Sequence, residues 1–401
     1  MTGTNMRVLM VTRETAPDKR YGLGRSLTPM VEELQARGID TRYYCQDDLT
    51  PAQLQWRDAL WQRISKWRGL RGRADRLALA RAWIERLQVG TAAGRIAIAE
   101  GYTHVHAHDP WLAAGVSHAL SKQANSVRWG LTEHGFGSYS VATQLDGLDQ
   151  GPLTQWLLRR IEKKVLARAD WIIAPTKACL TELARELRVG GIPRHWHEVP
   201  HAKPAIAPRD DASRLASRDR LNWAPDELVV VSVGRLVPLK CFDRLIAACA
   251  KASVAHIRLA ILGGGDPAEL QAVAAQNGLA GRVEFAFVDD VTPYLHGADI
   301  YVSASSTESF GLANLEALCA GLPSICSPVG GVPEVVGDGA WLVPNDIASL
   351  AKAIASLAGD AALRHDSAHR ALARAASWPT VQDITQRYVD IYQAALRNTH
   401  G

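Results

Sequence analysis

The 401-residue chain has no apolar run of the ~18 residues a membrane-spanning helix needs. Its opening, Met1 to Arg7, lacks the apolar core of a secretory signal. Its six cysteines, Cys45, Cys179, Cys241, Cys249, Cys319 and Cys326, form no Cys-x-x-Cys pair. That argues against a zinc ribbon or a disulfide framework and for reduced, packed thiols in a cytoplasm. A strong charge excess is missing too: the net charge of +4 does not by itself imply a nucleic-acid partner. What remains is 47% hydrophobic and 21% charged residues, the balance of a globular protein. The chain is too long for one typical core, so two domains are expected.

Both halves alternate short apolar runs with helical patterns. Val8 to Val11 reads as a buried first strand, followed by a loop, Tyr21-Gly-Leu-Gly24, and a helix with Leu27, Met30, Val31 and Leu34 on one face. Thr41 to Cys45 reads as the second strand, which makes a Rossmann-like unit. Residues 51–100 interrupt the alternation with a basic helical stretch carrying Trp56, Trp61, Trp67 and Trp83. Two readings stay open: an interfacial membrane contact through 51–90, or surface helices turning their indoles inward. No nucleic-acid-binding fold accompanies the charge. The alternation resumes at Thr103 to Asp109, where His104, His106 and His108 alternate along a strand at roughly 6–7 Å steps. No downstream Cys or carboxylate set completes a metal site. Packing suits His104 and His106, and His108 with Asp109 are the better site candidates. His134, in Leu131-Thr-Glu-His-Gly-Phe-Gly137, closes the next strand between residues that expose backbone. The helix Leu157 to Ala167 is read with Arg159, Arg160, Glu162, Lys163 and Lys164 outward. Pro193 to Arg209 has no clear element, so the linker is placed at Pro204 to Arg209.

The second half carries more chemistry. Leu228 to Val233 is a continuous apolar strand leading into Gly234-Arg-Leu-Val-Pro-Leu-Lys240. Arg can fork two phosphate oxygens and Lys supplies a compact charge, so Arg235 and Lys240 at a strand end suit a diphosphate. Leu259 to Leu262 precedes a glycine turn, Gly263 to Gly265, and Val283 to Val288 precedes Asp289 and Asp290. Ile300 to Val302 is followed by Ser303 to Ser306, Glu308-Ser-Phe-Gly311 and a helix, Leu312 to Ala320, that Gly321 stops. A strand, a glycine turn and a helix N-terminus form an anion site, because unpaired amides and the helix dipole act together. Glu308 sits before that helix and Glu316 within it. The tail is a helix with Ile384, Tyr388, Ile391 and Tyr392 at core spacing.

The Glu308-x7-Glu316 spacing around Ser309-Phe-Gly311, together with Arg235, Lys240, His134 and Ala169-Asp-Trp-Ile-Ile, resembles the retaining nucleotide-sugar glycosyltransferases of family 4. The resemblance spans nearly the whole chain. It implies an α/β fold of the GT-B type: two Rossmann-like, doubly wound domains facing across a cleft, with the C-terminal helix crossing back to the first. The expected domains are 1–205, which binds acceptor, and 206–378, which binds donor, with 379–401 as the returning helix. The implied reaction moves a hexosyl group from a UDP- or GDP-sugar to a glycan or lipid-linked acceptor hydroxyl, with retention and without metal or cofactor, in polysaccharide or glycolipid synthesis. Glu308, His134, Arg235 and Lys240 are the implied catalytic set. Gly22, Gly234, Gly264, Val288, Ser309, Phe310, Gly311, Leu312 and Glu316 are implied donor contacts, with Glu316 on the ribose. Tyr21, His108 and Asp109 are implied acceptor contacts. Three positions depart from the family pattern: Tyr21 replaces a glycine, Cys241 replaces the glycine after the lysine, and His201-Ala202 replaces Asn-Gly. A sugar-nucleotide epimerase of similar fold, or a non-catalytic scaffold, is the alternative. The expected location is cytoplasmic, with peripheral contact at the membrane face.

Overall fold

A computed structural model of the chain describes residues 6–13, 22–66, 74–121, 127–145 and 151–397. The chain divides into two compact units, Met1–Pro200 with Val381–Gly401, and His201–Thr380. The first boundary falls at Pro200, short of the expected linker. Pro193 to Arg209 is not without structure: it contains a short strand, Trp196–Glu198, whose Trp196 is buried. Flanking Pro and His residues hide this strand in the sequence.

The first unit holds six strands: β1 (Arg7–Val11), β2 (Asp40–Tyr44), β3 (His104–Ala107), β4 (Arg128–Thr132), β5 (Trp171–Ala174) and β6 (Trp196–Glu198). They pair in the order β2-β1-β3-β4-β5-β6, and every pairing is parallel. A parallel strand is covered on both faces, which is why β1, β3 and β5 read as unbroken buried runs. The last helix, Val381–Arg397, belongs to this unit. Its Tyr392 hydroxyl meets His106 Nδ1 at 2.6 Å, and its carbonyl meets His104 Nε2 at 3.0 Å.

The second unit holds β7 (Leu228–Val233), β8 (Ile257–Leu262), β9 (Val283–Ala286), β10 (Ile300–Ser303), β11 (Ser324–Cys326) and β12 (Trp341–Leu342). Their order is β12-β11-β10-β7-β8-β9, again parallel. Strand order therefore reverses between β7 and β10 here, and between β1 and β3 in the first unit. Loops at the carboxyl ends of such strands diverge and leave room for a ligand.

The basic stretch forms two helices, Pro51–Ser65 and Ala74–Ala99. Trp83 meets Trp111 edge-on at 5.1 Å and packs within the protein, whereas Trp61 is half-buried under the Arg81 guanidinium at the surface. Trp56 is 59% exposed, and Trp67 lies outside the described residues. The second of these helices crosses Pro110–Leu120 at glycines. A Cβ at Gly90 would run into the Leu112 carbonyl oxygen, and one at Gly115 into that of Leu87. This crossing lets Arg86 reach Asp109 at 3.3 Å. Gly90→Ala gains about 1 kcal/mol of helix propensity but overpacks a backbone contact. We expect a net loss of about 1–3 kcal/mol in urea unfolding; an unchanged midpoint would contradict the crossing.

Candidate functional site

In the second unit the loop after β7 carries Gly234, Arg235 and Lys240. A Cβ at Gly234 would lie 3.1 Å from Lys240 Cε and 3.2 Å from its Cδ, so the bare glycine gives the lysine stem its path. Cys241, which follows the turn Pro238–Lys240, adopts φ +48°. Glycine takes this left-handed conformation freely, whereas cysteine holds it at a cost of about 1–2 kcal/mol. Arg235 is exposed on the same loop. Lys240 Nζ reaches Glu308 Oε2, on the loop after β10, at 2.5 Å. The two switch-point loops are thus joined by an ion pair whose side chains are 23% and 16% exposed.

Further bonds fix the loop after β10. Ser306 N donates to Leu239 O at 2.8 Å, Asn345 Nδ2 to Ser305 O at 3.1 Å, and Gly331 N to Glu308 O at 3.0 Å. Phe310 is buried, its ring edge-on to His201 at 4.7 Å and to Trp378 at 5.7 Å. Its side chain anchors the loop in the core, which leaves backbone alone to meet a ligand. Gly311, at φ +79°, caps the helix Leu312–Cys319. The carbonyl of Gly311 itself accepts from Asn314 N at 2.9 Å, and the amides of Leu312 and Ala313 precede the helical ladder. Ser309 lies just before, half-buried, and Glu316 is buried within the helix at 3% exposure. Burial drives the His201 imidazole down to about 4.

The glycine turn after β8 is tied to the loop after β7. Leu236 N donates to Gly264 O at 2.8 Å, and a Cβ at Gly263 would collide with the Gly234 carbonyl. Gly263 therefore has to be glycine beside Gly234, whereas a Cβ at Gly264 would meet only the Phe287 ring, at 3.3 Å. Val288, after β9, packs half-buried against the core.

The first unit gathers a second set of residues. Imidazoles of His106 and His108 stack at 4.7 Å and 4°, and His108 Nδ1 meets His134 Nε2 at 3.0 Å. Two residues singled out by sequence are thus side by side. His106 also meets Thr132 Oγ1 at 2.8 Å. Burial pushes His104 down to about 4 and His106 to about 3, so both are neutral packing groups. Asp109 departs from the expected acceptor contact. Its Oδ1 accepts the Trp111 and Leu112 amides at 2.8 and 2.7 Å, and its Oδ2 faces Arg86, so it caps a helix. Tyr21 lies outside the described residues, and Gly22 opens the helix Gly22–Ala36.

Residues 21–200 match the family model "Glycosyltransferase Family 4", and residues 213–374 match "Glycosyl transferases group 1". A D-inositol 3-phosphate glycosyltransferase of Nocardia farcinica is 30% identical over 317 residues, covering 75% of this chain and 68% of that protein. The chain belongs to the family 4 glycosyltransferases. A Streptomyces coelicolor protein of the same name is 27% identical over 341 residues, 75% of this chain and 72% of that one. Among solved structures, sucrose-phosphate synthase from Thermosynechococcus elongatus has a TM-score of 0.74 at 20% identity, covering 98% of this chain and 100% of that one. Anabaena Alr3699/HepE in complex with UDP-glucose has a TM-score of 0.72 at 18% identity, covering 97% and 100%. These likenesses establish the GT-B fold.

This family 4 chain also holds a buried acid group that sequence reading missed. Glu162, expected outward, is 1% exposed because it shares the inward stripe with Leu158, Val165 and Leu166. That spacing was the available signal. Glu162 accepts Tyr139 N at 2.8 Å, Ser140 N at 3.1 Å and Ser140 Oγ at 2.5 Å. Glu133, beside His134, is 1% exposed, and neither oxygen has a hydrogen-bond partner among the described residues. Burial, then the neighbouring Glu162, raises Glu133 well above the carboxylate range. Burial raises Glu162 to about 7 despite its three donors. A raised carboxyl stabilises the fold fully below its unfolded value near 4.5, and that contribution disappears as pH rises through about 7. Glu162→Gln cannot take up the proton. Its destabilisation should therefore be larger at pH 5 than at pH 8, by about 1–3 kcal/mol in denaturant unfolding; a pH-independent difference would refute the assignment.

Proposed function

We propose that this glycosyltransferase transfers a hexosyl group from a UDP- or GDP-sugar to an acceptor hydroxyl with retention at the anomeric carbon. The observation that carries the proposal is the Lys240–Glu308 pair, joining the loops of β7 and β10 beside the first amides of Leu312–Cys319. A diphosphate arriving there competes with Glu308 for Lys240. Lys240, Arg235 and the Gly311 and Leu312 amides then face the phosphate oxygens, and the freed Glu308 carboxylate can accept bonds from sugar hydroxyls. Glu316 takes the ribose hydroxyls. Fixed cations and amides aimed at the leaving group stabilise the charge that grows on it as the glycosidic bond breaks. The departing diphosphate takes the acceptor proton on the same face, which gives retention without a protein nucleophile and without a metal. His134, with His108, orients sugar or acceptor hydroxyls by hydrogen bonding.

Support for a nucleotide-sugar donor also comes from the Anabaena neighbour, whose structure contains UDP-glucose. The relatives' names put an inositol phosphate among the acceptors to test, beside glycan and lipid-linked saccharides. Thermal unfolding against UDP, GDP and ADP and their sugar conjugates tests the donor site. One nucleotide series should raise the midpoint, and Glu316→Ala should abolish the rise; no shift with any series would favour a scaffold protein. Glu308→Ala and Lys240→Ala should each lower turnover by about 100-fold or more while leaving the circular dichroism spectrum unchanged. Normal turnover in either variant would remove the proposed site. Proton NMR of the product should show the donor's anomeric configuration, whereas free sugar released without acceptor would indicate the epimerase.

A further inference from the structure

Among the described residues of the first unit, a cluster of exposed apolar side chains lies outside the basic Trp-rich stretch. On the helix Pro152–Leu166, Leu153 is 76% exposed, Trp156 55% and Leu157 49%. Positions i, i+3 and i+4 share one face of a helix, so these three form one ridge. The opposite face holds Leu158, Glu162, Val165 and Leu166, all buried in the unit. This leaves the helix with a second apolar face that nothing in the described chain covers.

The charges on the helix are one-sided. Its only acid, Glu162, is turned inward, while Arg160, Lys163 and Lys164 are exposed on the turns after the ridge. The Arg160 guanidinium lies over the Trp156 ring, 5.4 Å from its centroid. Lys163 Nζ donates to Arg188 O at 2.7 Å, which holds it at the surface. An exposed indole flanked by leucines, with cations one turn away and no exposed anion on the described helix, complements an anionic lipid surface: the apolar tips enter the acyl boundary while the cations meet headgroups. A second protein chain would bury the cations against its own surface and require matching acids, whereas anionic headgroups supply them everywhere.

We propose that the Pro152–Leu166 face docks this enzyme on anionic membrane, with Leu153, Trp156 and Leu157 inserted and Arg160 and Lys164 over the headgroups. The peripheral contact is thereby assigned to this helix instead of to residues 51–90, where Trp83 packs against Trp111 and Trp61 is half-buried beside Arg81. The proposal is independent of which sugar or acceptor the site uses.

The test is co-sedimentation of the full chain with vesicles of phosphatidylcholine alone and with about 30% phosphatidylglycerol. Wild type should bind the anionic vesicles, bind the neutral ones at least about tenfold less, and be released by about 0.5 M salt. Leu153→Ser with Trp156→Ser and Leu157→Ser should lower binding at least about tenfold, and Arg160→Gln with Lys164→Gln should remove the preference for anionic lipid. Trp56→Ser should bind like wild type. Nucleotide stabilisation measured without vesicles should be unchanged in all variants, which separates this result from the fate of the donor site. Three outcomes overturn the proposal: no binding by wild type, binding lost with Trp56 but kept without the ridge, or a concentration-dependent dimer that the ridge variant alone dissolves.

Discussion

Where strand order reverses between β7 and β10, an ammonium and a carboxylate are held 2.5 Å apart, and the second unit's site depends on that pair. Neither side chain could be placed by its own loop. Lys240 needs the bare backbone of Gly234 to lie across, and Gly234 in turn is pinned by Leu262 O and by the glycine turn after β8. Glu308 needs Gly331 on its carbonyl, and its loop needs Leu239 and Asn345 as partners. Each contact is ordinary, and their common effect is that two opposite charges remain partly exposed at an edge where loops diverge. A pair of this kind contributes little to stability when water reaches it. Its retention is easier to understand as a preorganised pair of partners for a ligand with both anionic and hydroxyl groups.

The candidate site of the second unit was legible because its residues sit at strand ends, and apolar strands are the clearest pattern in an α/β sequence. Arg235, Lys240, Glu308 and Gly311 were placed by reading where a buried run stops, and Glu316 by its spacing from Glu308 in the family pattern. Phe310 shows the limit: position located the residue, but only packing against His201 and Trp378 shows that its ring belongs to the core. Cys241 shows another. The sequence reveals a non-glycine residue after the lysine, yet the left-handed backbone it adopts is decided by the turn Pro238–Lys240 and the helix Phe242–Lys251 on either side.

In the first unit the sequence was less informative, because polar residues there are buried by elements distant in the chain. His104 and His106 are kept neutral by burial, and a helix nearly three hundred positions later supplies their partners, the Tyr392 carbonyl and hydroxyl. Asp109 has the right position for a ligand contact, but two amides and Arg86 claim its oxygens. Glu162 lies among Arg159, Arg160, Lys163 and Lys164, which disguises it as one more surface charge, although its register with Leu158 and Val165 carries it inward.

The buried groups around His134 have opposite responses to acid, and this bears on how the first unit can serve chemistry. His104 and His106 stay neutral when folded but take up protons near 6.5 when unfolded, so they lower stability as pH falls below that value. Glu133 and Glu162 hold protons when folded that they release when unfolded above 4.5, so they raise stability over the same interval. Two depressed imidazoles thus oppose two raised carboxyls between about pH 4.5 and 6.5. Below that interval the carboxyl contribution is fully present and no longer changes, while the histidine penalty goes on growing until pH falls through about 4 for His104 and about 3 for His106. The neutral forms of all four groups also place no net charge next to His108 and His134. The sugar or acceptor hydroxyl proposed for this place would then be oriented by hydrogen bonds alone, without the desolvation cost of a fixed buried ion.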